Sequence, residues 1–251
     1  MTRPADTPVG VGVIGANSFV ANAAVLPAIA AASNASLIAA ASRSGAVPGR
    51  WAHTGVGSYD DVIEHPDVDA IYVPLPNGMH EEWTARAAAA GKHVLCEKPL
   101  ASDAATARRM AAACAEAGVL LAEAWMTPFS LRYGAALDTA RRELGDLERV
   151  DARFTFTIDE SQSANYRWDP DQGGGALLDV GIYCLGPAVE LFGPDAAVAR
   201  AGLRLTDRGV DAATRAELIW PNGATASIEC SFVDDEAQTL EISGTDGRAS
   251  V

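Results

Sequence analysis

Basic residues are scarce in this chain. Its 251 residues carry 19 Lys and Arg against 33 Asp and Glu, a formal charge of −14. A surface with that balance repels a phosphate backbone overall and excludes nucleic-acid binding as the main task, leaving room for a local basic patch that holds one small anion. Cysteine is sparse too. Cys96, Cys114, Cys184 and Cys230 stand far apart with no Cys-x-x-Cys, which excludes a disulfide framework and a zinc site. Spread through apolar stretches, these thiols read as core residues of a cytosolic protein. His53, His65, His80 and His93 are equally scattered, so no metal is expected. No apolar run approaches the roughly 18–20 residues of a membrane span. Residues 9–16, short and broken by glycines before Asn17, make a poor signal-peptide core. There is no Gly-x-x-x-x-Gly-Lys loop and no serine on a nucleophile elbow. What remains is a cytoplasmic globular chain, 49% hydrophobic and 21% charged. At roughly 150 residues per domain it holds one to two domains.

Residues 9–123 alternate short β-type runs with Ala-rich helical segments. Strands are expected over 9–15, 36–42, 69–73, 92–96 and 119–123. Helices are expected over 19–32, from the cap Ser58 to about 65, over 80–90 with Gly91 as its stop, and over 103–117 between the cap Ser102 and Gly118. Near-continuous apolar strands separated by helices indicate a parallel sheet covered on both faces. The grammar changes after Ala124. A helix is expected over 128–144, then a strand over 149–157 in which Val150, Ala152, Phe154 and Phe156 alternate with polar residues. A helix over 176–191 follows, and then consecutive antiparallel strands over 198–205, 212–220, 224–232 and 239–243, joined by turns such as Pro221-Asn222-Gly223. The domains therefore divide as 1–124 and 125–251.

The first strand runs into Gly15-Ala16-Asn17-Ser18-Phe19-Val20. In a dinucleotide fold this turn lets the backbone approach a pyrophosphate held at the following helix N-terminus. Of the Gly-x-Gly-x-x-Gly spacing only Gly15 is present. Asn17 tolerates a left-handed backbone better than most residues, and Val20 stands at the third position. After the second strand come Ser42 and Arg43, where NAD-binding proteins often carry a carboxylate. A hydroxyl and a guanidinium suit a 2′-phosphate, so NADP is expected ahead of NAD. Leu75-Pro76-Asn77 and His80 follow the third strand; Asn77 and His80 either reach a ribose or substrate, or cap the next helix. Glu97-Lys98-Pro99 follows the fourth, an acid and a base at the mouth of a parallel sheet. In the second domain three glycines, Gly173–Gly175, precede an apolar helix that carries Asp179 and Tyr183 at i and i+4, on one face. The glycines allow close backbone approach to another layer or a ligand. The pair is either a core phenol with its partner or an acid/base Tyr with an orienting Asp.

Together these segments resemble the glucose–fructose oxidoreductase/inositol dehydrogenase/MocA family over almost the whole chain. The resemblance rests on the first turn through Leu26-Pro27, on Ala41-Ser42-Arg43, on the run from Asp67 to Asn77, on Gly91-Lys92-His93-Val94-Leu95-Cys96-Glu97-Lys98-Pro99-Leu100, on Glu123-Ala124-Trp125-Met126 and on the triple-glycine helix. Pro-Leu-Pro-Asn and Tyr183 are most similar to the dihydrodiol dehydrogenase and NADP-dependent D-xylose dehydrogenase branch. The resemblance implies a Rossmann domain followed by an α+β domain with a mainly antiparallel open sheet, shortened at the C-terminus. It implies hydride transfer at a carbon bearing a hydroxyl or ketone, on a sugar, keto-sugar or cyclic diol. Lys98 is then the lysine contacting substrate and cofactor, Tyr183 the acid/base, and Asp179 and Trp125 substrate neighbours. Gly15, Asn17, Ser18, Phe19, Ser42, Arg43, Leu75, Pro76, Asn77, His80 and Glu97 line the cofactor. It departs from the family at Asn17 and Val20, in Thr127-Pro128-Phe129-Ser130, and in stopping at Val251, inside an apparent strand. Either the chain is naturally short, or the open edge there pairs with another copy, and a homo-oligomer is expected. Two alternatives stand beside this reading: a catalytically silent cofactor-binding or assembly protein, and a sugar-nucleotide 3-ketoreductase.

Overall fold

The computed structural model describes residues 7–159 and 165–251. They divide into two compact units, Met1–Ala124 and Trp125–Val251. The first is a five-stranded parallel sheet of β1 (Val9–Ile14), β2 (Ala35–Ala41), β3 (Ala70–Val73), β4 (His93–Cys96) and β5 (Leu121–Glu123) in the order β2-β1-β3-β4-β5. On one face Ile14, Ile71, Val73, Val94 and Cys96 pack with Trp83 and Ala87 of α3 (His80–Ala89) and Met110 and Cys114 of α4 (Ala104–Glu116). On the other, Val13, Ala40 and Tyr72 pack against Leu26 and Ile29 of α1 (Leu26–Ala31) and against Trp51. Both faces are covered, which is why the strands read as unbroken apolar runs. A short α2 (Tyr59–Ile63) is capped by Ser58, whose hydroxyl accepts the Asp61 N–H.

Two local readings need correction here. Asp103, not Ser102, caps α4: Asp103 is extended, and its carboxylate accepts the Thr106 N–H at 2.9 Å and the Thr106 hydroxyl at 2.7 Å. The helix expected over 19–32 is not uniformly α. Ala21–Val25 is π-wound, and Leu26 N–H reaches back to Ala21 O. Pro27 explains the widening, because it has no N–H to give and its ring crowds the carbonyl one turn earlier.

The second unit is a six-stranded mixed sheet in the order β11-β10-β6-β9-β8-β7. Its strands are β6 (Leu147–Thr157), β7 (Ala197–Leu205), β8 (Asp211–Ile219), β9 (Thr225–Ser231), β10 (Val233–Gly244) and β11 (Gly247–Ser250). One face packs on α5 (Leu131–Glu143) and α6 (Ala176–Phe192) through Tyr133, Leu137, Cys184 and Ala188 against Val150, Ala226, Ile228 and Ile242. The other carries ion pairs, along β6 in Arg149–Asp151 and between strands in Arg149–Glu217 and Arg153–Glu229. That split is the origin of the alternation seen in β6. The strands are not all antiparallel: β6 and β9 run parallel, because α6 and the β7–β8 hairpin carry the chain back to β6's own starting end. β10 begins six residues earlier than its apolar pattern suggests, since Asp234, Asp235 and Glu236 hide its first half. The helix expected over 128–144 is two pieces, a 3₁₀ turn Thr127–Phe129 and α5, separated by an extended Ser130.

Candidate active site

In the first unit the strand order reverses at β1, which places a crevice at the carboxyl ends of β1 and β3. Gly15 lies there with φ +90°, a conformation L side chains rarely adopt. A Cβ on it would come within 2.8 Å of Leu75 Cδ2 and 3.2 Å of the Pro74 carbonyl. The turn is folded onto β2: the N–H groups of Gly15 and Ala16 both donate to Ala41 O at 2.9 Å. Asn17 donates to the Ser44 hydroxyl at 3.1 Å, and Ser44 meets Ser42 at 3.1 Å. Ser18 accepts the Ala21 N–H, while Asn22 donates to the carbonyls of Ala16 and Ser18. Phe19 is exposed, and helix begins at that residue. The first N–H groups of a helix lack intrahelical acceptors and carry its positive dipole end. A shallow glycine cradle, a helix start and the Ser44 hydroxyl beside an exposed Arg43 fit a dinucleotide. Ser44 was missed from sequence; its side-chain bond to Asn17 is what reveals it.

The tips of β4 and β5 build the lysine site. Glu97 accepts the Tyr72 hydroxyl at 2.6 Å on one oxygen and the Lys98 backbone N–H at 3.3 Å on the other. The Lys98–Pro99 bond is cis, and the Leu100 N–H donates to Glu123 at 2.7 Å. Burial pushes the Glu123 carboxyl up, against the Leu100 N–H and the Lys98 ammonium, with Glu97 adding to the rise. Lys98 therefore leaves the sheet between two carboxylates. Glu123 was read only as part of a motif, and Tyr72 only as strand.

His80 has both ring nitrogens against backbone carbonyls. It is fully buried, with Nδ1 3.0 Å from Pro99 O and Nε2 2.9 Å from Leu75 O. Its side chain does not cap α3; it ties the loop after β3 to the loop carrying Lys98. Burial holds its pKa below the ordinary range, against the pull of the carbonyls of Leu75, Pro99 and Leu100 and the charge of Glu97. Asn77 is likewise buried, and its carbonyl accepts the His80 N–H. Pro76 opens the intervening 3₁₀ turn.

In the second unit the three glycines solve a packing problem. Gly173 and Gly175 have φ +70° and +117°. A Cβ on Gly174 would fall 2.6 Å from Arg167 O and 2.8 Å from Tyr166 O and Asp169 O. The close approach expected of the glycines is thus made to backbone: the 3₁₀ turn Tyr166–Trp168 lies on the start of α6, held by Gly174 N–H to Asp169 O and Gly175 N–H to Arg167 O, both 2.9 Å. Asp211 accepts the Leu177 N–H at 2.8 Å and the Thr214 hydroxyl at 2.7 Å. That seating brings Arg167 to Asp179, Nε to Oδ2 at 2.6 Å and Nη2 to Oδ1 at 3.5 Å; the Tyr166 hydroxyl donates to Oδ1 at 3.3 Å. Tyr183, one turn along α6, stacks on Phe154 with centroids 4.9 Å apart. Arg167 and Tyr166 were missed; six and seven residues before Gly173, they carry no sequence signal of their own. Trp125 packs its ring against Gly186 of α6 and edge-on to Tyr133, its indole N–H buried without an acceptor among the described residues.

All four cysteines are buried, and burial raises the Cys96 and Cys184 thiols to about 12, which leaves no thiolate nucleophile at neutral pH. Among the described residues no His, Cys, Asp and Glu group is set to hold a metal, and no helix is long and apolar enough to cross a membrane.

Residues 9–124 match the model of the glucose–fructose oxidoreductase/inositol dehydrogenase/MocA oxidoreductase family, NAD-binding Rossmann fold, and residues 139–250 match that family's C-terminal domain. The chain is 37% identical to D-xylose 1-dehydrogenase (NADP(+)) 2 of Haloferax volcanii over 78% of its own length and 60% of that enzyme's. It is 36% identical to the dTDP-3,4-didehydro-2,6-dideoxy-alpha-D-glucose 3-reductase of Actinomadura kijaniata, over 99% of this chain and 76% of that one. A crystal structure of a 3-ketoreductase from the same organism, in complex with NADP and TDP-benzene, superposes with a TM-score of 0.89 at 35% identity, covering 96% of this chain and 75% of that one. The chain thus spans between 60% and 76% of the length of these relatives. With both domain models matched in order and a relative this similar over 99% of this chain, the chain belongs to the glucose–fructose oxidoreductase/inositol dehydrogenase/MocA family.

Proposed function

We propose that the chain is an oxidoreductase that uses NADP ahead of NAD and acts at a hydroxyl- or ketone-bearing carbon of a sugar, keto-sugar or cyclic diol. The observation that carries this is the placement of Lys98 between Glu97 and Glu123 at the carboxyl edge of a parallel sheet, in the same unit as the Gly15 turn at its switch point. The nicotinamide supplies the hydride when bound. The protein's task is to hold the reactants and move a proton. As a carbonyl carbon gains hydride its oxygen becomes an alkoxide, which takes the phenolic proton of Tyr183; the phenolate is then reprotonated from solvent. In the oxidative direction the phenolate accepts the alcohol's proton. Lys98, whose ammonium lies in the field of Glu123, hydrogen-bonds the reacting substrate and the cofactor's ribose. Ser42, Arg43 and Ser44 serve the 2′-phosphate, Arg pairing with it bidentately.

A second reading, reduction of a nucleotide-linked 3-keto-sugar, is favoured by the likeness to a ketoreductase structure over 96% of the chain. It differs in substrate only. The test is a fluorescence titration with NADPH, followed by absorbance screens of aldoses, diols and dTDP-linked keto-sugars. Turnover with one of these, lost in Lys98→Ala while NADPH still binds, is the expected result. NADPH binding without turnover on any of them would favour a silent cofactor-binding protein. Near-normal turnover in Lys98→Ala would remove Lys98 from the mechanism.

A further inference from the structure

Asp179 is almost fully buried, and a buried carboxylate is costly unless paired and hydrogen-bonded. Arg167 and Tyr166 meet that need from a segment whose place is set by the Gly174 contact. The Arg167 guanidinium also lies 4.9 Å from the centre of the Tyr166 ring, and it interacts electrostatically with Tyr183. Burial works against its charge, yet Asp179, Tyr166 and Tyr183 together hold its pKa above the ordinary value. Asp179 and Tyr183 sit one helical turn apart on α6. A carboxylate, a guanidinium and two phenols thus form one cluster on the α6 face, with Phe154 of β6 stacked on the Tyr183 ring.

We propose that Arg167 is a positioning residue for the acid/base phenol: its guanidinium clamps Asp179 through Nε and Nη2 and sets a permanent positive charge beside Tyr183 within the second unit itself. This rests on the reading of Tyr183 as the group that moves the proton. Asp179 and Arg167 then act on the phenol with opposite sign. The cation favours the phenolate and the carboxylate opposes it, so their pairing sets how readily Tyr183 gives up its proton. Tyr166, donating to Asp179, lessens the carboxylate's part.

The test is a near-ultraviolet tyrosinate titration of the intact chain, with Tyr183→Phe as the reference that isolates the Tyr183 component. Arg167→Met should move that component to higher pH by about one unit or more, a tenfold change in proton affinity. Asp179→Asn should move it to lower pH. Arg167→Lys keeps the charge but not the fork, so it should leave the titration near wild type while lowering kcat more than it changes KM. A purely structural role would shift both charge variants the same way. Unchanged titration in a folded Arg167→Met, or an upward shift in Asp179→Asn, overturns the proposal, and either variant decides it alone. The titration needs no turnover, so a failure to find any substrate would count against the oxidoreductase reading and not against this one.

Discussion

Replacing Gly174 by alanine tests whether the glycine run exists to seat Arg167. The residue has an ordinary backbone conformation, so the effect is steric. A methyl there would lie 2.6–2.8 Å from three carbonyl oxygens, where ordinary carbon–oxygen contact is about 3.4 Å. The 166–169 turn must therefore retreat by roughly 0.6–0.8 Å. That stretches the two 2.9 Å bonds from Gly174 and Gly175 beyond useful range, at about 0.5–1.5 kcal/mol each. Overpacking carries a similar cost of about 1–3 kcal/mol, which is the same displacement seen another way. The reduced freedom of the unfolded chain returns about 0.4–1 kcal/mol. The net expectation is a loss of about 1–2 kcal/mol, measured as a lower urea midpoint for the second unit with an unchanged m-value. Gly134 is the control. It lies inside α5 with no heavy atom within 4 Å of a would-be Cβ, so Gly134→Ala should stabilise by about 0.5–1 kcal/mol. If Gly174→Ala unfolds with the wild type, or Gly134→Ala costs as much, the packing argument is wrong. Because Arg167 Nε stands 2.6 Å from Asp179, Gly174→Ala should also shift the Tyr183 titration toward that of Arg167→Met.

Arg43→Ala should weaken NADPH about tenfold or more while changing NADH little, since a charge-assisted bond contributes about 1.5–3 kcal/mol; equal losses on both in fluorescence titrations would defeat the 2′-phosphate assignment. His80 makes an acid-stability prediction. Its native pKa lies below the ordinary value because of burial, so the unfolded chain binds more protons between the two pKa values and stability rises with pH across that window. Stability should thus decline as pH falls below about 6.5, and His80→Asn should flatten this part of the urea-midpoint profile. Parallel profiles for the two proteins would refute the assignment.

What was legible in the sequence is what neighbours along the chain decide. Apolar runs that follow the helix stops Gly91 and Gly118 marked two of the parallel strands, and the four-residue spacing of Asp179 and Tyr183 placed them on one helix face. The parallel pairing of β6 with β9 was not legible, since it joins Arg149 to Thr225 across a helix and a hairpin, and period-two alternation is blind to strand direction. His80 shows the same limit in side-chain form. Its position after Asn77 suggested a polar loop residue, but the carbonyl of Pro99, nineteen residues away, buries it. Arg167 is the more instructive case. Nothing in Tyr166-Arg167-Trp168 distinguishes it from a surface arginine until Gly174 lets the turn lie on α6; the three glycines were visible, but what they approached was not. A glycine run before an apolar helix should therefore be read as a question about which backbone comes close. The polar residues on that backbone are candidates for the site, and here they supply a counter-charge for Asp179.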